Sequence, residues 1–281
     1  YSPLNINIFG IVDGNTPTDQ LTAYCYHEGH GAKGGDNVVS MLYAFLKRRN
    51  LLVGGGKHLV LVADNCGGQN KNRMVMRFVM WLVEKVFFEK VSLVFLVAGH
   101  TKNPCDRLFN LLKAEYRRKN IYNVDDLLEI LDNHPLCSAE MAPNFFGWDD
   151  YLNQIYKAPH GIKKNHCFTV TKSEPWTIIM KRSDVAVEEI RLNLEKKMDA
   201  DLRQEILSQV PEELKQPGIR LIKRVGLYKN YRQFVPDRYK EDELYQQVDE
   251  KEMQEYNEDK RQRNIERAGE KRKRLQQTEE A

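Results

Sequence analysis

Two aspartates carry the spacing on which chemistry could be built. The apolar run His58-Leu-Val-Leu-Val-Ala, the kind a strand covered on both faces needs, delivers Asp64 to its carboxyl end. A second apolar run, Val91-Ser-Leu-Val-Phe-Leu-Val-Ala, ends at Gly99-His100, and Asp106 then opens the helix Arg107-Leu-Phe-Asn-Leu-Leu-Lys-Ala-Glu-Tyr. Two parallel strands so connected place both acids at one edge of a sheet, where open α/β sheets bind their ligands. Hard carboxylate oxygens suit Mg²⁺, which takes one or two protein ligands and keeps water or phosphate oxygens at its other positions. Two such ions about 3.5–4 Å apart activate a nucleophile and stabilise a leaving oxygen in phosphodiester transfer. The plainer account is that an Asp after a strand is a turn residue or a helix cap.

The elements that must position this pair read as strand, strand, helix, strand, helix, strand, helix. Leu4 to Val12 and Gln20 to Glu28 form a hairpin around the turn cluster Asp13-Gly-Asn-Thr-Pro-Thr-Asp. Asp13 belongs to that turn. Glu28, ending the second hairpin strand, is a reserve metal ligand or a solvated strand-end carboxylate. Asp36 or Asn37 caps a helix running to Arg49. Met74 to Phe88 is apolar nearly all round and is expected to be heavily buried.

Between strand and helix lies Asn65-Cys-Gly-Gly-Gln-Asn-Lys-Asn-Arg. A Gly-rich loop of this kind can cradle phosphate, although it lacks the Gly-Lys-Ser/Thr of a nucleotide P-loop. Gln69, Asn70, Lys71 and Asn72 are candidate contacts to a nucleic-acid backbone, or else the glycines make a turn and the amides cap the helix. His100 is a candidate for orienting water or phosphate. A zinc alternative gathers Cys25, His27, His30, Cys66, His100 and Cys105, without any Cys-x-x-Cys pair.

Ala63-Asp-Asn-Cys-Gly-Gly-Gln-Asn-Lys-Asn, with Gly99-His-Thr-Lys-Asn-Pro-Cys-Asp-Arg-Leu-Phe, resembles a transposase-derived, RNase-H-like domain family of eukaryotes, largely uncharacterised. The likeness extends to Asn7-Ile-Phe-Gly-Ile-Val-Asp and Tyr26-His-Glu-Gly-His-Gly-Ala-Lys-Gly, and weakly to Lys223-Arg-Val-Gly-Leu-Tyr. It implies an α/β fold with one RNase-H-like mixed sheet flanked by helices. It also implies a DDE/DDD-type polynucleotidyl transferase or nuclease on DNA, with three acids holding two Mg²⁺ or Mn²⁺. By motif Asp64 matches the second acid and Asp106 the third, with His100 beside them; Lys102 and Arg107 flank Asp106 as further nucleic-acid contacts. In the family pattern a central first strand carries the first acid; this sequence, starting at Tyr1, shows no counterpart and reads as a fragment. A domesticated relative that binds nucleic acid or protein without cutting is the alternative. Transposases generally work as assemblies, so a homo-oligomer is implied.

The remaining sequence sets the frame. With 281 residues, 41% of them hydrophobic, a sizeable core is affordable. A net charge of +3, from 43 basic and 40 acidic side chains, leaves any basic surface local. Five scattered cysteines read as free thiols, and no apolar run reaches transmembrane length. The division expected is a core over 1–135, an α+β extension over 136–236 with strands at His166 and Trp176 and a polar helix from Ile190 to Leu207, and a charged helical or disordered tail from Asp237. In that tail Lys271-Arg-Lys-Arg is a candidate nuclear import signal or nucleic-acid contact, which makes the nucleus the expected location, with the cytoplasm as the alternative.

Overall fold

Strand β1 (Ile6–Val12) pairs antiparallel with β2 (Leu21–His27), as the turn cluster between them predicts. The computed structural model describes residues 4–16, 18–96 and 103–279 of the chain. Helix α1 (Gly35–Arg48) returns the chain to β3 (Gly56–Ala63), and α2 (Arg73–Glu84) returns it to β4 (Phe88–Phe95), which pairs parallel with β3. This is the expected element order. Helix α3 (Pro104–Tyr116) follows, capped by Asn103, whose side chain accepts from the Asp106 N–H at 2.8 Å. The cap expected for α1 is absent: Gly34 stands there without a side-chain bond, and Asp36 lies in the first turn.

Two mixed sheets result, where a single one was expected. The hairpin is joined by β5 (Cys137–Met141), which runs parallel to β2. The other sheet has the order β3-β4-β6-β7-β8, the last three being Cys167–Thr171, Thr177–Lys181 and Glu189–Asn193. Residues beyond 135 thus complete both sheets, and that boundary separates neither. The polar helix expected from Ile190 is replaced by β8 and a shorter helix, α6 (Ala200–Ser208).

The core between the sheets and helices is built on α2, in which every residue from Met74 to Val83 is buried. Helix α5 (Trp148–Ile155) packs on it together with α1. On β3 only the alternate residues Leu59, Leu61 and Ala63 reach this core, and Val60 and Val62 are 52% and 57% exposed. The strand expected to be covered on both faces is therefore an edge strand covered on one. The reason is visible in α3 and α4 (Val124–Asp132), whose apolar residues Leu108, Leu112, Leu127 and Leu131 pack with Leu21, Ala23 and Cys25 on the hairpin sheet instead.

Each helix runs back along the strand that precedes it, so the starts of α1 and α2 meet at one end of the molecule, where Gly35 abuts Met74 and Asn72. The opposite end carries the hairpin turn, where Arg49 lies 3.9 Å from Asp13. Beyond α7 (Leu221–Gly226) the chain ends in a long helix, α8 (Glu250–Glu279), the helical alternative for the tail.

Candidate functional site

The loop after β3 is ordered by its own backbone and amides. The Cys66 carbonyl accepts the N–H groups of Asn70 and Lys71, both at 2.9 Å, and of Gln69 at 3.3 Å, closing a tight turn. Asn72 caps α2, its Oδ1 accepting from Met74 and Val75 N–H at 3.0 Å each, while its Nδ2 donates to the Gln69 carbonyl at 2.9 Å. Asn70 donates from Nδ2 to the exposed Asp64 carboxylate. Asn72→Ala is expected to cost about 1 kcal/mol, the usual worth of such a cap, read as a lower denaturant midpoint.

Two of the proposed nucleic-acid contacts therefore serve the fold. Asn72 is fully engaged as a cap, and Lys71 is 6% exposed, its ammonium donating to the Lys163 carbonyl at 3.4 Å and lying 5.4 Å from the Phe95 ring centroid. Burial pulls the Lys71 pKa down from its usual value. Gln69 and Asn70 remain half-buried in the turn. His100 and Lys102 lie outside the described residues.

Asp106 is elsewhere. The start of α3 docks on the hairpin-turn end: Cys105 Sγ donates to the Gly10 carbonyl at 3.9 Å, Arg107 pairs with Asp19, and Phe109 and Leu21 both crowd Gly10. Asp64 sits at the other end, beside the starts of α1 and α2. The two acids thus have different neighbours: Asp64 is bonded to Asn70 beside the start of α2, whereas the turn bearing Asp106 docks against Gly10 and Asp19. The physical cause is that the Leu108 and Leu112 stripe, not the acids, decides where α3 docks. Arg107, its side chain 64% exposed, pairs with Asp19 there.

Glu28 does share the Asp64 end, yet its carboxylate accepts from the Asn5 N–H at 2.8 Å and from the Lys223 ammonium. Burial alone would raise its pKa; the Lys223 and Asn5 bonds outweigh that and hold it below the usual value. It is a paired strand-end carboxylate. Among the described residues no three of His, Cys, Asp and Glu stand close enough to hold a metal ion. The zinc set is dispersed as well: Cys25 is buried in the core, His27 Nδ1 accepts from the Gly29 N–H at 3.0 Å, and His30 Nε2 lies 3.2 Å from the Pro143 carbonyl.

The sequence reading passed over the strongest polar cluster at the Asp64 end. Arg77, 2% exposed within the apolar run of α2, bonds Asp149 at 3.2 Å, Asn153 at 2.9 Å and the Lys157 carbonyl at 3.3 Å. Exposed Arg73 also reaches Asp149 at 3.2 Å. The available signal was one arginine on an otherwise apolar helix, which demands a buried partner. Asp36 completes the junction by accepting the Asp149 N–H at 3.0 Å.

Among the described residues no helix is long and apolar enough to cross a membrane. Neither the curated proteins nor the solved structures give a match to this chain. A protein-family model, Domain of unknown function (DUF7869), matches residues 1–187, which takes in both strands of the parallel pair, both aspartates and β5 to β7. Spanning well over half of the sequence, that match makes this chain a member of the DUF7869 family.

Proposed function

We propose that the chain is a transposase-like domain of RNase-H-like descent that binds DNA without assembling a two-metal centre from the acids described. The residue runs around Asp64 and Asp106 support the descent. So does the sheet pattern: β1 and β3 each keep one unpaired edge, and Phe9 and Ile11 of one pack on the same core as Leu59 and Leu61 of the other. An RNase-H-like sheet from which the central strand is left out has such a pair of edges. The observation that supports the non-cutting reading is that Asp64 and Asp106 share no partner among the described residues, Asp64 bonding Asn70 and the start of α3 docking on Gly10 and Asp19. The donors are right in kind for Mg²⁺ or Mn²⁺, but among the described residues neither acid belongs to a group of three such ligands.

A second reading, a metal-dependent nuclease or strand transferase in the nucleus, is favoured by one observation: Asp64 is exposed at a strand end where helix starts converge. The test is incubation of labelled linear duplex DNA with the protein in Mg²⁺ or Mn²⁺. Bound but uncut DNA is the expected result. Cation-dependent cleavage that Asp64→Asn abolishes would establish the second reading in its place.

A further inference from the structure

Three cations are buried among the described residues, and two of them meet a carboxylate. Arg77 pairs with Asp149 and Arg203 with Glu84, whereas Lys71 has no carboxylate partner among the described residues. Its ammonium holds one bond, to the Lys163 carbonyl at 3.4 Å, and lies against the Phe95 ring. A lysine has three N–H donors and a full charge, and a buried charge is costly unless something of opposite sign meets it. The sequence after Phe95 supplies nothing of that kind, since Leu96 to Asn103 holds no acid.

The segment that Lys71 holds has the same bias. From Tyr151 to Ser173 the chain carries no Asp or Glu, yet it carries Lys157, Lys163, Lys164 and Lys172. Gly161, with a φ of 74°, leads into the 3₁₀ turn Ile162–Lys164. Lys163 and Lys164 of that turn are exposed, and neither side chain has a partner among the described residues. Consecutive residues of such a turn point about 120° apart, so the two ammonium groups diverge. The turn opens β6 beside the ends of the parallel pair: the Phe95 N–H donates to the His166 carbonyl at 2.8 Å, and the Leu96 N–H to the Ala63 carbonyl at 3.1 Å. Asp64 follows Ala63 at the end of the same row.

We infer that this turn is a docking element for the phosphate backbone of duplex DNA, with Lys163 and Lys164 meeting phosphates while Lys71 fixes the turn and adds its charge from behind. The assignment rests on the DNA-binding reading above and names the surface responsible. The chemistry selects the partner. A membrane surface takes apolar side chains inserted beside the cations, and from Ala142 to Asp184 no large apolar residue is exposed. Single strands need aromatic platforms, and the ring beside Lys71, Phe95, is buried. A small free anion needs an enclosing pocket, and both lysines stand open to solvent. What fits is a rigid row of phosphates, which lysines neutralise as point charges.

The experiment follows the anisotropy of a fluorescent duplex with the full chain, across salt concentrations. Wild type is compared with K163Q/K164Q and with K57Q/K119Q, which removes the same charge from exposed positions elsewhere. The turn variant is expected to bind at least about 10-fold more weakly, with the slope of log affinity against log salt smaller in magnitude by about 2. The other pair should keep most of both. Lys71→Met, which keeps a long side chain against Phe95 and loses the charge, is expected to weaken binding by about 3-fold or more. An unchanged affinity in that variant overturns the part given to Lys71. Wild type that binds while K163Q/K164Q matches it in affinity and slope overturns the docking turn and leaves the DNA reading standing. Equal losses in the two pairs reduce the effect to net charge and overturn it too. Single strands held as tightly as duplex through the same lysines overturn the choice of partner. Wild type that binds no duplex at low salt overturns both readings.

Discussion

Glu84→Ala is expected to lower the free energy of unfolding by about 3–5 kcal/mol, because it strands a buried guanidinium. Glu84, at the end of α2, accepts from Arg203 Nε at 2.5 Å and Arg203 Nη2 at 3.1 Å, from Trp176 Nε1 at 3.1 Å and from the Tyr156 hydroxyl. Arg203 is 7% exposed and Tyr156 fully buried, and the guanidinium carbon lies 5.0 Å from the Trp176 ring centroid. Trp176 holds a φ of 56° to take part, a backbone conformation that costs about 1–3 kcal/mol and persists where its surroundings enforce it. Three segments far apart in sequence thus converge on one carboxylate of α2. Removing that carboxylate leaves Arg203 desolvated with only the Lys196 carbonyl at 3.4 Å and the charge of Glu195 to offset it.

The same carboxylate fixes a pH dependence. Burial by itself would raise the Glu84 pKa, but the bonds from Arg203, Tyr156 and Trp176 outweigh burial and hold it below its ordinary value of 4.5. A depressed folded-state pKa means that the unfolded chain binds the proton more readily. The contribution is therefore fully present above about pH 4.5 and is lost as pH falls through the folded-state value. Thermal midpoints of wild type and Glu84→Gln, followed from pH 7 to pH 3, should accordingly differ most near neutrality and converge in acid. A gap that stays constant across that range would show that Glu84 does not titrate with folding.

What the sequence made legible was local. Apolar runs marked β3 and β4 and their parallel pairing, a turn cluster marked the hairpin, and the unbroken apolar character of Met74 to Val83 marked the buried helix. What it concealed was which surfaces would meet. Cys137-Ser-Ala-Glu-Met carries little strand pattern, and β5 forms because its backbone satisfies the free edge of β2. Ile190 and Leu194 sit at helical spacing, yet Glu189–Asn193 pairs with β7. Asp106 stood in a motif, but motif position says nothing about which sheet a helix packs on. That choice belongs to Leu108 and Leu112, and it took the acid away from Asp64. The loop amides behaved likewise: an Asn at a helix start is first a cap, and Asn72 is one.

Trp148→Ala tests whether the segment beyond residue 135 is part of the core or an appendage. Trp148 is 1% exposed, donates from Nε1 to Ser40 Oγ at 3.2 Å, and touches rings from two other helices, α1 and α2. Its centroid lies 5.1 Å from Phe78, 5.3 Å from Trp81 and 5.2 Å from Tyr43, all upstream of residue 135. Removing an indole from such a site costs about 3–5 kcal/mol in lost transfer energy and residual cavity. Trp148→Phe, which keeps a ring but forfeits the bond to Ser40, should cost about 1–3 kcal/mol by comparison. Trp81 and Trp176 remain as fluorophores in both variants, one on α2 and one beside Arg203. If both sheets form a single cooperative unit, their emission and the far-ultraviolet helical signal shift to the same lower denaturant midpoint in Trp148→Ala. Were residues 1–135 a separate domain, the variant would unfold in two steps, with the helical signal of α1 and α2 surviving the loss of the downstream strands.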